Sequence, residues 1–300
     1  MLDRSLALAA LTLLALPQAY AIDYHEARRA DGTMIHYTLD APAGEASGLL
    51  VISQGSGCAR AALSPNLATV RAAFPDFAAL IVEKVGVTPD VEIPDPFADC
   101  PPQFLDNYTI SQRVADYRIV LDALAADPNM DTANTILFGG SEGGLAMAML
   151  AEHVPVTATI LLSTATGETF GDMVLSTVPP EAQEQVQSGF QMARQNPQSS
   201  EPLGGSTYRF WADGLDLRPL DHMQKSTAPF LLIQGGLDQS APVAASRTTL
   251  STFAEKGLCH LTYWEFPALD HGLADPAGTS HLPAIAGMAA AWAKNPVPAC

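Results

Sequence analysis

Basic side chains are scarce in this 300-residue chain: 15 lysines and arginines face 32 aspartates and glutamates, for a formal charge of −17. A surface of that sign repels phosphate, which argues against nucleic acid or an anionic membrane face as a partner. Beyond the amino terminus, apolar runs long enough to span a bilayer, about 20 residues, are missing. So are low-complexity tracts and any repeat period, which excludes solenoids and propellers. Histidine, cysteine, aspartate and glutamate nowhere take the spacing of a metal site, and no glycine-rich loop has the pattern of a phosphate cradle. No cofactor and no metal are implied.

What is present begins with Met1-Leu2-Asp3-Arg4, an apolar run from Ser5 to Leu16, and Ala19-Tyr20-Ala21. That run is too short for a membrane span, and the small residues after it suit signal cleavage. Residues 1–21 are expected to be a secretory signal, giving an exported protein, periplasmic or secreted, that starts near Ile22. The remainder, about 280 residues, is expected to be one domain.

Apolar runs at Gly48–Ser53, Ala78–Val85, Thr135–Phe138, Val156–Ser163, Pro229–Gly235 and Cys259–Phe266 read as strands, most of them buried on both faces. Helical stretches alternate with them. Thr109 to Gln112 has the pattern of a capping box and opens a helix that closes near Asp127-Pro128; His281 to Lys294 makes a terminal helix. Tyr24–Arg28 and Met34–Leu39 form an edge hairpin. The predicted class is α/β, a mainly parallel sheet with helices on both faces.

The chemistry centres on Gly139-Gly140-Ser141-Glu142-Gly143, a G-x-S-x-G turn between a strand and a helix that runs to about His153. Such a turn lifts a serine hydroxyl clear of the sheet edge. A hydroxyl becomes a nucleophile only when a base takes its proton and an acceptor orients that base. Asp238 and His271 follow later strands, so Ser141, Asp238 and His271 are expected at one carboxyl edge. Asp270 is the rival acid and His222 the rival base. The loop Gln54-Gly55-Ser56-Gly57-Cys58 also ends a strand and can offer backbone N–H groups to an oxyanion.

These motifs and their order resemble the α/β-hydrolase family, including its dienelactone-hydrolase and prolyl-oligopeptidase types. The resemblance spans nearly all of the chain after residue 21, although Gln54 stands where the family commonly has histidine. It implies Ser141 as nucleophile, His271 as base, Asp238 as orienting acid, and the amides of Glu142 and Ser56 as oxyanion donors. The activity it implies is hydrolysis of carboxylic esters through an acyl-enzyme. The alternatives are a serine exopeptidase of the prolyl-oligopeptidase type, which would need a charged group for a peptide terminus, and a non-catalytic binding protein. The expected partner is a small ester or short peptide. Glu142 and Glu168 are candidates for holding a cationic substrate group, the alternative for Glu168 being a solvated carboxylate.

About 65 residues, Thr164 to Ala228, separate two strands where one helix would suffice, and this stretch is expected to be a lid. Pro179-Pro180-Glu181 starts a helix whose face carries Ala182, Val186, Phe190 and Ala193. Phe170, Met173, Tyr208, Phe210 and Trp211 are expected either to line a substrate pocket or to form the lid's own small core, with Phe170, Tyr208 and Trp211 the candidate substrate contacts. Finally, Cys58 and Cys100 follow strands, whereas Cys259 precedes one and Cys300 follows a returning helix. A strand is about 17–20 Å long and bridged α-carbons lie within about 7 Å, so the expected disulfides are Cys58–Cys100 and Cys259–Cys300.

Overall fold

The structure, a computed structural model, describes residues 22–128 and 130–296. The expected signal segment and Cys300 lie outside the described residues.

In chain order, β1 (Tyr24–Arg28), β2 (Met34–Asp40) and β3 (Leu49–Ser53) lead to α1 (Pro65–Ala72) and β4 (Ala78–Val82). Helices α2 (Pro102–Asn107) and α3 (Ile110–Ala125) precede β5 (Thr135–Gly140), α4 (Glu142–His153) and β6 (Ala158–Leu162). The interval that follows holds α5 (Phe170–Thr177), α6 (Pro180–Gln195), a small hairpin of β7 (Pro202–Leu203) and β8 (Ser206–Thr207), α7 (Tyr208–Gly214) and α8 (Pro219–Met223). The chain returns to β9 (Phe230–Gly235), α9 (Val243–Glu255), β10 (Leu261–Phe266) and α10 (Leu282–Ala293).

Eight strands make one sheet in the order β1-β2-β4-β3-β5-β6-β9-β10. The hairpin β1–β2 and the β2–β4 pair are antiparallel, and all other neighbours are parallel. Burial on both faces follows from the alternation of side chains along each strand. Leu49, Val51, Leu137 and Leu232 face a core shared with α3 and α4; Leu50, Ile52, Ile136 and Leu231 face one shared with α1 and α10. Fully burying one such side chain is worth about 1.5–3 kcal/mol, which fixes each strand's register.

Two expectations need correction here. The strand expected to reach Val85 ends at Val82, because the Lys84 side chain leaves the sheet to meet the carbonyls of Gly55 and Gly57. The capping box is half formed. Thr109 Oγ1 accepts from the Gln112 amide at 3.0 Å, but the Gln112 side chain reaches forward to Asp116 rather than back to the cap.

Candidate active site

Ser141 sits between β5 and α4 at φ 54° and ψ −126°, a positive φ that a side chain rarely adopts. The turn is this sharp because its neighbours lack side chains. A Cβ on Gly139 would collide with the Gly143 carbonyl, and a Cβ on Gly143 would collide with the carbonyls of Ser53 and Gln54. The turn is anchored from below by the Ser141 amide, which donates to Leu162 O at 2.9 Å.

The loops after β9 and β10 bring the other two residues together. His271 Nδ1 lies 3.0 and 2.9 Å from the two carboxylate oxygens of Asp238. The Asp238 side chain is wholly buried, whereas that of His271 is 35% exposed. Burial pushes the Asp238 carboxyl up, but the hydrogen bond to His271 and the amides of Ala241 and Ser240 outweigh it and hold the group below its ordinary value. Gln234 Nε2 adds a bond to Oδ2 at 2.9 Å and is itself fixed by the Ser246 hydroxyl, which donates to its Oε1. The Ser163 hydroxyl donates to the His271 carbonyl at 2.8 Å.

Ser141 and His271 line one cavity of about 210 Å³, together with Gln54 and Gly55 of the loop after β3. No hydrogen bond joins the serine to the imidazole among the described residues, and in unliganded sites such bonds are commonly loose. On its other side Ser141 borders an apolar slot of about 30 Å³ walled by Leu145, Phe170 and Met173. A larger cavity of about 760 Å³, lined among others by Arg29, Gln103, Asn107 and Arg209, includes neither Ser141 nor His271.

The rivals are engaged elsewhere. Asp270 Oδ1 accepts from the amides of Gly272 and Ala274 within its own turn. His222 pairs with Glu152 at 2.6 Å, about 16 Å along α4 from the serine. Glu142, one of the two carboxylates considered for a cationic substrate group, is not available to any substrate. It is buried and bonded to Lys84 Nζ at 3.0 Å, to Arg113 Nη1 at 3.4 Å and to the Tyr108 hydroxyl. Burial pushes its carboxyl up, but the two cations beside it prevail and hold it below its ordinary value. Glu168 is half-buried, with Oε2 unpartnered, and burial together with Asp172 pushes its carboxyl up.

The candidate substrate aromatics divide. Phe170 walls the slot beside Ser141. Trp211 is buried against Phe190, Phe170 and Phe210, with its indole N–H donating to Leu203 O at 2.7 Å, and it belongs to the core of the 164–228 interval. Tyr208, half-buried, packs against the same core. Cys58 and Cys100 are joined, with α-carbons 5.6 Å apart, directly beyond the loop that carries Gly55 and Ser56. Ser56 is exposed at that loop's tip, and the Glu142 amide is among the first N–H groups of α4, which have no partner within a helix.

Polar residues inside otherwise apolar segments were the signal for the supporting groups. Gln234 in Leu231-Leu232-Ile233-Gln234 and Lys84 after Leu80-Ile81-Val82 are both buried where water cannot satisfy them, so each must have a specific partner.

No protein-family model matches the sequence, and no curated protein matches it. Solved structures do. Est1E from Butyrivibrio proteoclasticus, solved with ferulic acid bound, superposes with a TM-score of 0.63 at 17% identity over 90% of this chain and 97% of its own. A monoacylglycerol lipase from Paleococcus ferrophilus gives 0.60 at 16% identity over 86% and 98%. A puromycin-hydrolysing peptidase from Mycobacterium tuberculosis gives 0.60 at 18% identity, covering 93% of this chain but 40% of the peptidase. With its sheet order, its strand-to-helix serine turn and these neighbours, the chain has the α/β-hydrolase fold.

Proposed function

We propose that the chain is an exported serine hydrolase that cleaves carboxylic esters through an acyl-enzyme on Ser141. The observation that carries this reading is the buried Asp238 carboxylate bonded to His271 Nδ1, with His271 and the serine of the strained turn lining one cavity. Asp238 holds the imidazole in the tautomer whose Nε2 is free to accept a proton. As Ser141 Oγ attacks the ester carbonyl carbon, Nε2 takes the hydroxyl proton. The carbonyl π bond becomes an oxyanion received by the amides of Glu142 and Ser56. Collapse re-forms the carbonyl and breaks the bond to the alkoxy oxygen, which leaves as alcohol with the proton from His271. Water, deprotonated by His271, then attacks the acyl carbon and releases the acid and free Ser141.

The 164–228 interval acts as the lid that selects the substrate, a role supported by Phe170, Met173 and Pro219 walling the slot at Ser141. Export is supported by the Cys58–Cys100 disulfide, which persists in an oxidising compartment. A neighbour with ferulic acid bound favours an ester substrate, and a peptidase neighbour makes an aminoacyl amide the second reading. Kinetics on p-nitrophenyl esters beside aminoacyl anilides separate the two. Ester turnover with at most trace anilide turnover is expected; the reverse preference overturns the ester assignment.

A further inference from the structure

Beneath the loop after β3 lies an ionic cluster that no step of the proposed reaction uses. Lys84 Nζ has three N–H donors, and each has an acceptor: Gly55 O at 2.8 Å, Gly57 O at 2.8 Å and Glu142 Oε1 at 3.0 Å. Its side chain is wholly buried, with the ammonium 4.6 Å from the centre of the Tyr108 ring. Arg113, equally enclosed, donates from Nη2 to Gln54 O at 2.8 Å. Three carbonyls of one loop, those of Gln54, Gly55 and Gly57, are thus drawn toward two buried cations.

A trans peptide is planar, and its C=O and N–H point in opposite directions. Fixing the Gly55 carbonyl on Lys84 therefore turns the Ser56 N–H away from the cluster. The same loop packs against the serine, since a Cβ on Gly55 would lie 3.3 Å from Ser141 Cβ and 3.9 Å from Ser141 Oγ. Hydrogen bonding to a cation also polarises the peptide, making its N–H a stronger donor. Glu142 occupies the third position on Lys84, and Glu142 supplies the other oxyanion amide. One ammonium is therefore bonded to the Gly55 carbonyl, which shares its peptide with the Ser56 N–H, and to the side chain of Glu142.

We propose that Lys84, with Arg113 beside it, is a positioning residue that orients and polarises the Gly55–Ser56 peptide as an oxyanion donor and ties it to Glu142. Burial explains why lysine is used at this cost. An ammonium in a dry site keeps its bonds only when every donor is satisfied, so the loop is held in the one conformation that does so. The ammonium is pushed down to about 8, burial being the main cause and Glu142 opposing it, so at neutral pH it remains a cation. The proposal rests on the serine-hydrolase reading.

The test compares wild type, S141A, K84M and K84R on p-nitrophenyl acetate and, as inhibitor, on an alkyl trifluoromethyl ketone whose hemiketal with Ser141 mimics the tetrahedral adduct. K84M leaves Glu142 with Arg113 and Tyr108, so no carboxylate is stranded. We expect K84M to keep its circular dichroism and to lose about 10²–10³-fold in kcat, with KM within a few-fold. Its inhibition constant for the ketone should rise in parallel with the loss in kcat/KM, and K84R should recover part of both. A folded K84M with kcat and ketone affinity within three-fold of wild type overturns the proposal. So does a fall in melting temperature with unchanged turnover per folded molecule. If K84M does not fold, K84Q, which retains an amide donor, is judged by the same criteria. Wild type inert toward ester, or S141A as active as wild type, defeats the serine-hydrolase reading instead.

Discussion

His271 Nδ1 meets both carboxylate oxygens of Asp238, at 3.0 and 2.9 Å, and the carboxylate is closed off from water while the imidazole is not. An acceptor on Nδ1 dictates which ring nitrogen is left free to accept a proton. Replacing Asp238 by Asn lets the amide donate where the carboxylate accepted and favours the wrong tautomer. D238N should fold and lose about 10⁴-fold in kcat. Steady-state kinetics on an ester check this, and a loss below tenfold would exclude Asp238 as the orienting acid.

The same carboxylate links stability to pH. Its folded value lies below the ordinary one, so in the window between the two the unfolded chain binds more protons. Its contribution is full above the unfolded value, about pH 4, and is lost as pH falls through the folded value. The stability difference between wild type and D238N, from urea unfolding at stepped pH, should be largest above about pH 4 and shrink below it.

Gln234, itself fully buried, steadies Asp238. Q234L keeps the volume and removes the donor to a charged acceptor, a bond worth about 1.5–3 kcal/mol. A kcat/KM loss of roughly ten- to hundredfold is expected, with the fold intact by circular dichroism.

The two glycines around the serine turn should respond oppositely to alanine. At Gly143 a methyl meets the carbonyls of Ser53 and Gln54, and overpacking of this kind costs about 1–3 kcal/mol. At Gly140 the nearest atom to an added Cβ is Leu162 O at 3.9 Å, so G140A should be neutral or more stable by about 0.4–1 kcal/mol. Thermal unfolding of the pair decides.

The Cys58–Cys100 disulfide closes a loop with a sequence separation of 42 residues, which corresponds to about 4 kcal/mol of denatured-state entropy. A C58S/C100S variant should unfold at correspondingly lower urea. Because the bond adjoins the Gly55–Gly57 loop, it should also lose kcat before it loses fold.

Local patterns in the sequence make most of this legible. Continuous apolar runs marked β3, β5, β6 and β9, and a serine bracketed by glycines marked the turn, because strand burial and tight turning leave period and residue type in the sequence itself. Asp238 and His271 were reachable through chain order and strand ends. What stayed hidden was pairing across long separations. Nothing near Lys84 indicates that its ammonium meets Gly55 and Glu142, 29 and 58 residues away. The interval from 164 to 228 carried aromatic residues without a period that says which face they take. Trp211 went inward to Phe190, while Phe170 reached the slot beside Ser141.

The central claim is that Ser141 is the nucleophile, and the direct measurement is mass-spectrometric mapping after reaction with a fluorophosphonate, paired with ester turnover by S141A. One adduct, on the peptide that contains Ser141, and a turnover loss on the order of 10⁶-fold are predicted. An unlabelled wild-type protein, a label on another serine, or near-wild-type turnover by S141A would contradict it.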